Sequence, residues 1–325
     1  MVYGALDIGG TKISGALVDA EGRLLARAQR ATPARESGDV LMGAVTAVLD
    51  DLSQFPAWAD LACMGIASAG PVDTTAGTVS PVNIPGWRDY PLVDEVRAHP
   101  RMPVGMKPLL VGDAVAMAAA EHWTGAARGV DNALCMVVST GVGGGLILNG
   151  SLHAGISGNA GHIGHISVDL NGPLCPCGAR GCVEGFASGT AIAAHALASG
   201  WVPPAGQAPT AAAVDVSARG GDERALAAYD RAGQALAAAI AATIALVELD
   251  LVVIGGGVSQ AGETLFGPLR RRMDEYAVLD FARNVPIVPA GLALDAGLIG
   301  AAAAGAAVAG LSRAGGATRV PALRP

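Results

Sequence analysis

Aromatic side chains are scarce, with four each of Phe, Trp and Tyr among 325 residues, and charged residues make up only 15%. A core built on large rings is therefore excluded. Hydrophobic residues reach 51%, much of it alanine, beside 46 glycines, a composition that favours closely packed helices and many glycine turns. No run of Lys or Arg forms a basic stripe, and the formal net charge of -7 argues against a nucleic-acid partner and for small-molecule chemistry. The amino terminus, MVYGALDIGG, lacks a basic segment followed by an apolar one and a cleavage site, so no signal peptide is evident. Two uncharged, alanine-rich runs, Ala232–Val247 and Ala296–Ser312, fall short of a bilayer span and are rich in small residues. They predict buried helices in a soluble, cytoplasmic protein with no membrane partner. Five cysteines, an odd number with three clustered, argue against a disulfide framework and for thiolate chemistry or metal binding in a reducing compartment.

At 325 residues the chain has room for two lobes, each with its own core. The segment VYGALDIGGTKISGALVDAEGRLLARAQR reads as strand, Gly-rich turn, strand, turn at Glu21-Gly22 and third strand. Further on, LCMVVSTGVGGGLILNGSLHAG repeats the plan, with an apolar run Leu134–Val138, a Gly-rich turn, a strand Leu146–Leu148 and a hairpin signal at Asn149-Gly150. Superposing Asp7 on Ser139 places Gly9 on Gly141. The repeat predicts an internally duplicated, two-lobed α/β architecture. Apolar strands are expected in Leu61–Gly70 and Pro108–Trp123, the latter turning helical from Ala114, and in Leu251–Gly257. Long Ala-rich helices are expected over Asp222–Glu248 and Leu294–Gly310, a surface loop over Trp201–Asp222, and a flexible tail over 314–325. The expected domains are a smaller lobe over 1–111, completed by the C-terminal helix 296–310, and a larger lobe over 112–295 carrying a Cys/His loop at 160–184.

Two glycine loops carry phosphate-binding character. In LDIGGTK, Gly9 and Gly10 let backbone N–H groups approach phosphate oxygens, Thr11 adds a hydroxyl, Lys12 adds charge, and Asp7 can hold hydrated Mg²⁺. The second loop runs Ser139-Thr140-Gly141-Val142-Gly143-Gly144-Gly145. A tight hairpin without ligand explains either loop alone; two from two lobes can face one polyphosphate. Neither fits G-x-x-x-x-G-K-[ST], and Gly255-Gly256-Gly257 does not complete a dinucleotide fingerprint.

The segments DIGGTK, STGVGGG, AGHIGH, CPCGARGCVEGFASG and IGGGVS, in this order, resemble the ROK family (repressors, open reading frames, sugar kinases) of actin/hexokinase-like ATPases, from about Tyr3 to Gly310. That resemblance implies the duplicated fold with an active-site cleft between its lobes. It also implies phosphate loops at Gly9–Lys12 and Ser139–Gly144, Thr140 and Gly141 included, and an adenosine border at Gly255–Gly257, with Gly256 and Gly257 in contact. Asp113, after the strand LLVGD, becomes the carboxylate beside the sugar's reacting hydroxyl. A base there suits phosphoryl transfer, whose loose transition state leaves positioning, charge neutralisation and acceptance of one proton as the work to be done. The alternative for an Asp after a strand is a helix N-cap.

His165, Cys175, Cys177 and Cys182 give His-x9-Cys-x-Cys-x4-Cys, four N/S ligands that would close a tetrahedral structural zinc site. A reduced thiol cluster and redox chemistry are the alternatives; the spacing with a histidine favours zinc, and the resemblance implies it. It also implies that His162, His165 and Glu184 contact sugar hydroxyls, together with Asn83 and the turn at Gly70. For Asn83, an ordinary turn residue beside Pro85-Gly86 is the alternative. Two positions depart from the family's pattern. Where most members have Glu, this chain has His162, which both accepts and donates hydrogen bonds and is shared with bacterial N-acetylmannosamine kinases. Where the family places Asn before the catalytic Asp, it has Gly112, which removes a pre-positioned sugar-binding amide.

The expected activity is an ATP-dependent, glucokinase-like phosphorylation of a hexose 6-hydroxyl, with Mg²⁺ accompanying ATP. N-acetylmannosamine, an amino sugar or a cyclitol are alternative substrates, and a homodimer or homotetramer is expected from the family. The family also holds sugar-sensing repressors, but their winged helix-turn-helix precedes the kinase-like body, and here the phosphate loop begins at Asp7. A sensor without kinase activity would be expected to lack Asp113 or the GGTK loop, and both are present.

Overall fold

The structure, a computed structural model, describes residues 1–292 and 295–308. The expected tail over 314–325 and the last residues of the expected C-terminal helix lie outside the described residues.

The chain opens with β1 (Val2–Ile8), β2 (Lys12–Asp19), β3 (Leu24–Ala31), α1 (Gly38–Leu52), β4 (Leu61–Ser68), β5 (Val72–Asp73) and β6 (Thr78–Val79). It continues through α2 (Leu92–Arg97), β7 (Leu109–Gly112), α3 (Asp113–Trp123), β8 (Ala133–Val138), β9 (Val142–Leu148) and β10 (Ser151–His153). Then come α4 (Glu184–Ala187), α5 (Gly189–Ala198), α6 (Ala211–Arg219), α7 (Glu223–Val247), β11 (Leu251–Gly255), α8 (Glu263–Tyr276), β12 (Ile287–Pro289) and α9 (Ala296–Val308).

Two five-stranded sheets follow one plan, β3-β2-β1-β4-β7 and β10-β9-β8-β11-β12. In the first, β1, β2 and β3 are antiparallel neighbours while β4 and β7 continue from β1 in parallel. In the second, β9 and β10 form the antiparallel hairpin and β8, β11 and β12 are parallel. The same order and sense in both sheets is the duplication read from the two glycine-loop segments. The Asn149-Gly150 hairpin forms as expected, both residues taking positive φ (51° and 66°).

The chain divides into two compact units, but not at the expected break after residue 111. The first comprises Met1–Asp131, Gly145–Gly161 and the chain from Gly291 onward; the second comprises Asn132–Gly144 and His162–Ala290. In the first unit α9 packs on α3, β1 and β4, and its small residues are what allow this. Gly65 on β4 faces the Ala301 carbonyl and Gly300 faces the Ala116 carbonyl so closely that neither position has room for a Cβ. On α1 and the strands, Leu6, Ile8, Ile13, Leu17, Val45, Leu49 and Ile66 are fully buried. A methyl added at such a contact typically costs about 1–3 kcal/mol, so the alanine and glycine of the sequence are a packing requirement.

In the second unit α7 packs against α4, α5, α6 and α8. Asp222 caps it by accepting the Arg224 and Ala225 N–H groups, and Glu248 ends it in the left-handed region at φ 48°. Its buried stripe, Ala225, Ala228, Ala232, Leu236, Ala239 and Ile240, follows helical spacing. The uncharged run Ala232–Val247 belongs to this longer helix of 25 residues, which by length and composition alone could cross a membrane; more than half of its most apolar stretch (56%) is instead buried inside the protein. The expected loop over Trp201–Asp222 is corrected in its second half by α6. Thr210 accepts the Ala213 N–H as N-cap, and this start signal outweighs the prolines before it.

Candidate functional site

In the first unit β1 carries Asp7, set between Ser14 of β2 and Ala67 of β4. The turn Gly9-Gly10-Thr11 is pinned at its edges. The Gly9 N–H donates to Lys12 O (3.0 Å), the Thr32 hydroxyl to Gly9 O (2.6 Å) and the Thr32 N–H to Thr11 O (3.1 Å). Thr11 is exposed and Lys12 half-buried. The structure brings Asn83 to this turn: a Cβ on Gly10 would stand 2.5 Å from the Asn83 Nδ2, so only glycine lets the two meet. Gly297, in the first turn of α9, has no room for a Cβ beside the Asp7 carboxylate. Burial first, and then the charge of Asp113, push the Asp7 carboxyl up to about 6, against the opposing pull of Lys12 and Arg27.

β7 delivers Gly112 and Asp113. The helix cap is Gly112 (φ -67°, ψ 150°), and Asp113 is the first helical residue, which corrects the N-cap alternative by one position. The Asp113 carboxylate is exposed, and its Oδ1 accepts the Ala114 N–H at 2.7 Å. Gly112 does not need to be glycine for backbone reasons, since the nearest atoms to a Cβ there would be Val115 Cγ2 at 3.9 Å and Gly158 O at 4.0 Å. Gly70 follows β4 and precedes a cis bond to Pro71. The turn beyond it is held by Asn159, whose Nδ2 donates to Val72 O (2.8 Å) and whose Oδ1 accepts the Val72 N–H (3.4 Å).

In the second unit His165, Cys175, Cys177 and Cys182 converge, with ligand atoms all within 4.8 Å of one another. Around one tetrahedral ion, thiolates at about 2.3 Å lie about 3.8 Å apart, and an imidazole nitrogen at about 2.1 Å lies about 3.6 Å from each of them. The Cys177 and Cys182 Sγ atoms are 3.8 Å apart, as are Cys175 Sγ and His165 Nδ1. The residues therefore fit a four-coordinate ion, bound through Nδ1 of the histidine. Burial pushes the Cys182 thiol up to about 12 and Cys175 above its usual value, while the Ala179 N–H holds Cys177 below it. The His162 ring lies near-parallel to that of His165, centroids 6.2 Å apart and planes 17° apart, and both are exposed.

The second glycine loop lies in the same unit. The Ser139 N–H donates to Gly141 O (2.8 Å), and Thr140 is exposed at the tip. Glu184 is drawn to this loop: its Oε2 accepts the Val142 N–H at 2.9 Å, and a Cβ on Gly141 would stand 2.5 Å from that oxygen. Gly256, at φ 93°, backs against the Val138 carbonyl where no Cβ fits, and Gly257 caps the short 3-10 turn that follows β11.

Sequence reasoning missed several residues. Glu121, fully buried in α3, accepts the Ala126 and Gly291 N–H groups on Oε2 (2.7 and 3.0 Å) and the Leu292 N–H on Oε1 (2.8 Å). It fastens the segment that leads into α9. The only available signal was a lone acid inside an alanine helix. Arg27 pairs with Asp295 at 2.9 Å, a contact across the whole chain that no local pattern announces. Gly189 and Thr190 hold the second glycine loop through the Gly189 N–H to Ser139 O (2.7 Å) and the Thr190 hydroxyl to Thr140 O (3.2 Å). Here a capping signal existed in Ser188, whose hydroxyl accepts the Ala191 N–H.

The ROK family model matches residues 3–306. A glucokinase of Thermotoga maritima is 37% identical over 91% of this chain and 95% of its own length. An N-acetylmannosamine kinase of Yersinia pseudotuberculosis is 39% identical over 92% of this chain and 96% of its own. Among solved structures, a ROK family glucokinase from Streptomyces griseus, crystallised with glucose and AMPPNP, superposes with a TM-score of 0.76 at 32% identity, covering 93% of this chain and 98% of that one. By the family model and by these relatives, matched nearly end to end, the chain belongs to the ROK family.

Proposed function

We propose that the protein is an ATP-dependent sugar kinase that phosphorylates the primary 6-hydroxyl of a hexose. The observation that carries this reading is the pairing of an exposed carboxylate, Asp113, with a buried one of raised pKa, Asp7, on the strand that runs into Gly9-Gly10-Thr11-Lys12. Asp113, exposed at the start of α3, serves as the base that takes the hydroxyl proton. Asp7 suits a phosphate-bound Mg²⁺, which when present would neutralise charge on the transferring phosphoryl group, while Lys12 and the turn's N–H groups suit the phosphate oxygens.

Asn83 and the turn at Gly70 are assigned to the sugar in the first unit. His162, His165 and Glu184 are assigned to sugar hydroxyls in the second, and Thr140, Gly141, Gly256 and Gly257 to the nucleotide. Zinc in the His165/Cys175/Cys177/Cys182 cluster has a structural role, since its four protein ligands leave no position for a reacting oxygen.

Support for the sugar-kinase class comes from the names of the glucokinase and N-acetylmannosamine kinase relatives. N-acetylmannosamine is the second reading for the substrate. It is favoured by the exposed His162 ring and by the absence at Gly112 of any side chain that would bind a sugar hydroxyl. The position of transfer is tested by phosphorus–proton correlation NMR on the product. A phosphate on the C6 oxygen supports the reading, and a phosphate on any other oxygen removes it.

A further inference from the structure

The turn 139–141 runs into the glycine-rich start of β9 (Val142–Leu148), and this corner of the sheet draws further support from outside it. Gly141, Gly143 and Gly144 lose more backbone entropy on ordering than other residues would, yet a loop that presents N–H groups to phosphates must be fixed. The structure supplies the support from the segments that flank the metal cluster. On one side Gly164, immediately before the ligand His165, packs on the Val142 carbonyl with no room for a Cβ. On the other, Glu184, two positions after the ligand Cys182, accepts the Val142 N–H at 2.9 Å. Val142 is thus gripped at both its carbonyl and its N–H.

The two gripping segments are tied to each other beside the cluster. The Val183 N–H donates to Ile166 O (3.0 Å), Ser167 and Cys182 form a β-bridge, and Cys182 Sγ lies 3.6 Å from His165 O. Thr190, in the first turn of the next helix α5, adds its hydroxyl to Thr140 O at 3.2 Å.

We infer that Glu184 is a positioning residue for the phosphoryl donor, and that the metal cluster sets donor affinity by holding Gly164 and Glu184 in register on Val142. The sugar role assigned above to Glu184 uses its second oxygen; Oε2 is already committed to the loop. The donor half of this inference rests on the kinase reading, whereas the mechanical coupling of cluster to loop does not.

Hydrogen exchange and binding of AMPPNP test it together on the full chain, comparing the metal-loaded protein, the chelated protein, Glu184→Ala, Glu184→Gln and Thr190→Val. Chelation and Glu184→Ala are expected to speed exchange across 139–144 and to weaken AMPPNP binding by about tenfold or more, as loss of one hydrogen bond to a charged group implies. Exchange in β11 should not change. Glu184→Gln keeps an acceptor oxygen and should recover most of the loss, a rescue that a merely structural disturbance would not give. Thr190→Val touches no metal ligand, so it remains informative even if the chelated protein unfolds, and it should raise the KM for the donor while leaving that for the sugar in place. Unchanged exchange and unchanged AMPPNP affinity in Glu184→Ala and Thr190→Val would overturn the inference. Faster exchange in a protein whose metal-loaded form binds no AMPPNP would uphold the coupling and remove the nucleotide reading.

Discussion

Asp7 and Asp113 form a like-charge pair in which burial of Asp7, and after it the charge of Asp113, lifts the Asp7 carboxyl to about 6. A raised carboxyl binds its proton more tightly in the folded chain than in the unfolded one, where its value is near 3.8. Its contribution to stability is therefore fully present below pH 3.8 and lost as pH rises through about 6. Above that range the folded protein carries a charge it would be more stable without, at a cost of order 2–3 kcal/mol. Asp7→Asn should accordingly stabilise the ligand-free protein at pH 8 by about 2 kcal/mol, with the gain fading by pH 4, while impairing turnover. Urea unfolding of both proteins across this range reads it. An equal or lower midpoint for Asp7→Asn at pH 8 contradicts the pair.

Asp113 behaves oppositely toward stability. Its carboxylate is exposed, and the backbone cap of α3 is Gly112. Asp113→Asn should leave the melting temperature within about 2 °C, because a surface change of under about 0.5 kcal/mol moves it little. The same change should cut kcat by about 10²–10⁴-fold, the usual worth of a general base. Near-normal kcat would return Asp113 to the helix terminus as a purely structural residue.

The cluster of His165, Cys175, Cys177 and Cys182 predicts about one zinc per chain by elemental analysis, as a closed four-ligand site requires. Chelation under reducing conditions should open the loop and make the exposed Arg180 a new tryptic cleavage site. A metal-free protein that resists trypsin at Arg180 as well as the loaded one contradicts a structural ion.

At Gly112 the backbone is ordinary for any residue and the nearest atoms to an added Cβ are 3.9 Å away or more. Gly112→Asn should fold with unchanged stability. Restoring a pre-positioned amide should shift the ratio of kcat/KM for glucose over N-acetylmannosamine by about tenfold toward glucose, the worth of roughly one hydrogen bond. An unmoved ratio would mean that position 112 does not set sugar preference.

Much of the fold was legible because its signals are local. The apolar strands before each glycine loop, the Asn149-Gly150 turn and the Asp222-capped helix all declare themselves within a few residues, and the repeated strand order confirms the duplication. The convergence of His165, Cys175, Cys177 and Cys182 was legible for the same reason, since the four lie within 18 residues of one another. The unit boundaries were not, because the break after Asp131 and the return of Gly145–Gly161 and α9 to the first unit depend on packing between distant segments. Nor could the sequence show that Glu184 reaches Val142, or that Glu121 holds the segment before α9. Each of those carboxylates meets backbone far away along the chain, and a backbone N–H carries no residue-type signature.

The central claim is phosphoryl transfer to a sugar. Its most direct test is coupled measurement of ADP release with Mg²⁺ and ATP over glucose, mannose, N-acetylmannosamine, glucosamine, kanosamine and allose. The account predicts sugar-dependent ADP release with at least one of these hexoses, abolished in Asp113→Asn. ADP release that no sugar stimulates, from a folded and metal-loaded protein, would contradict it.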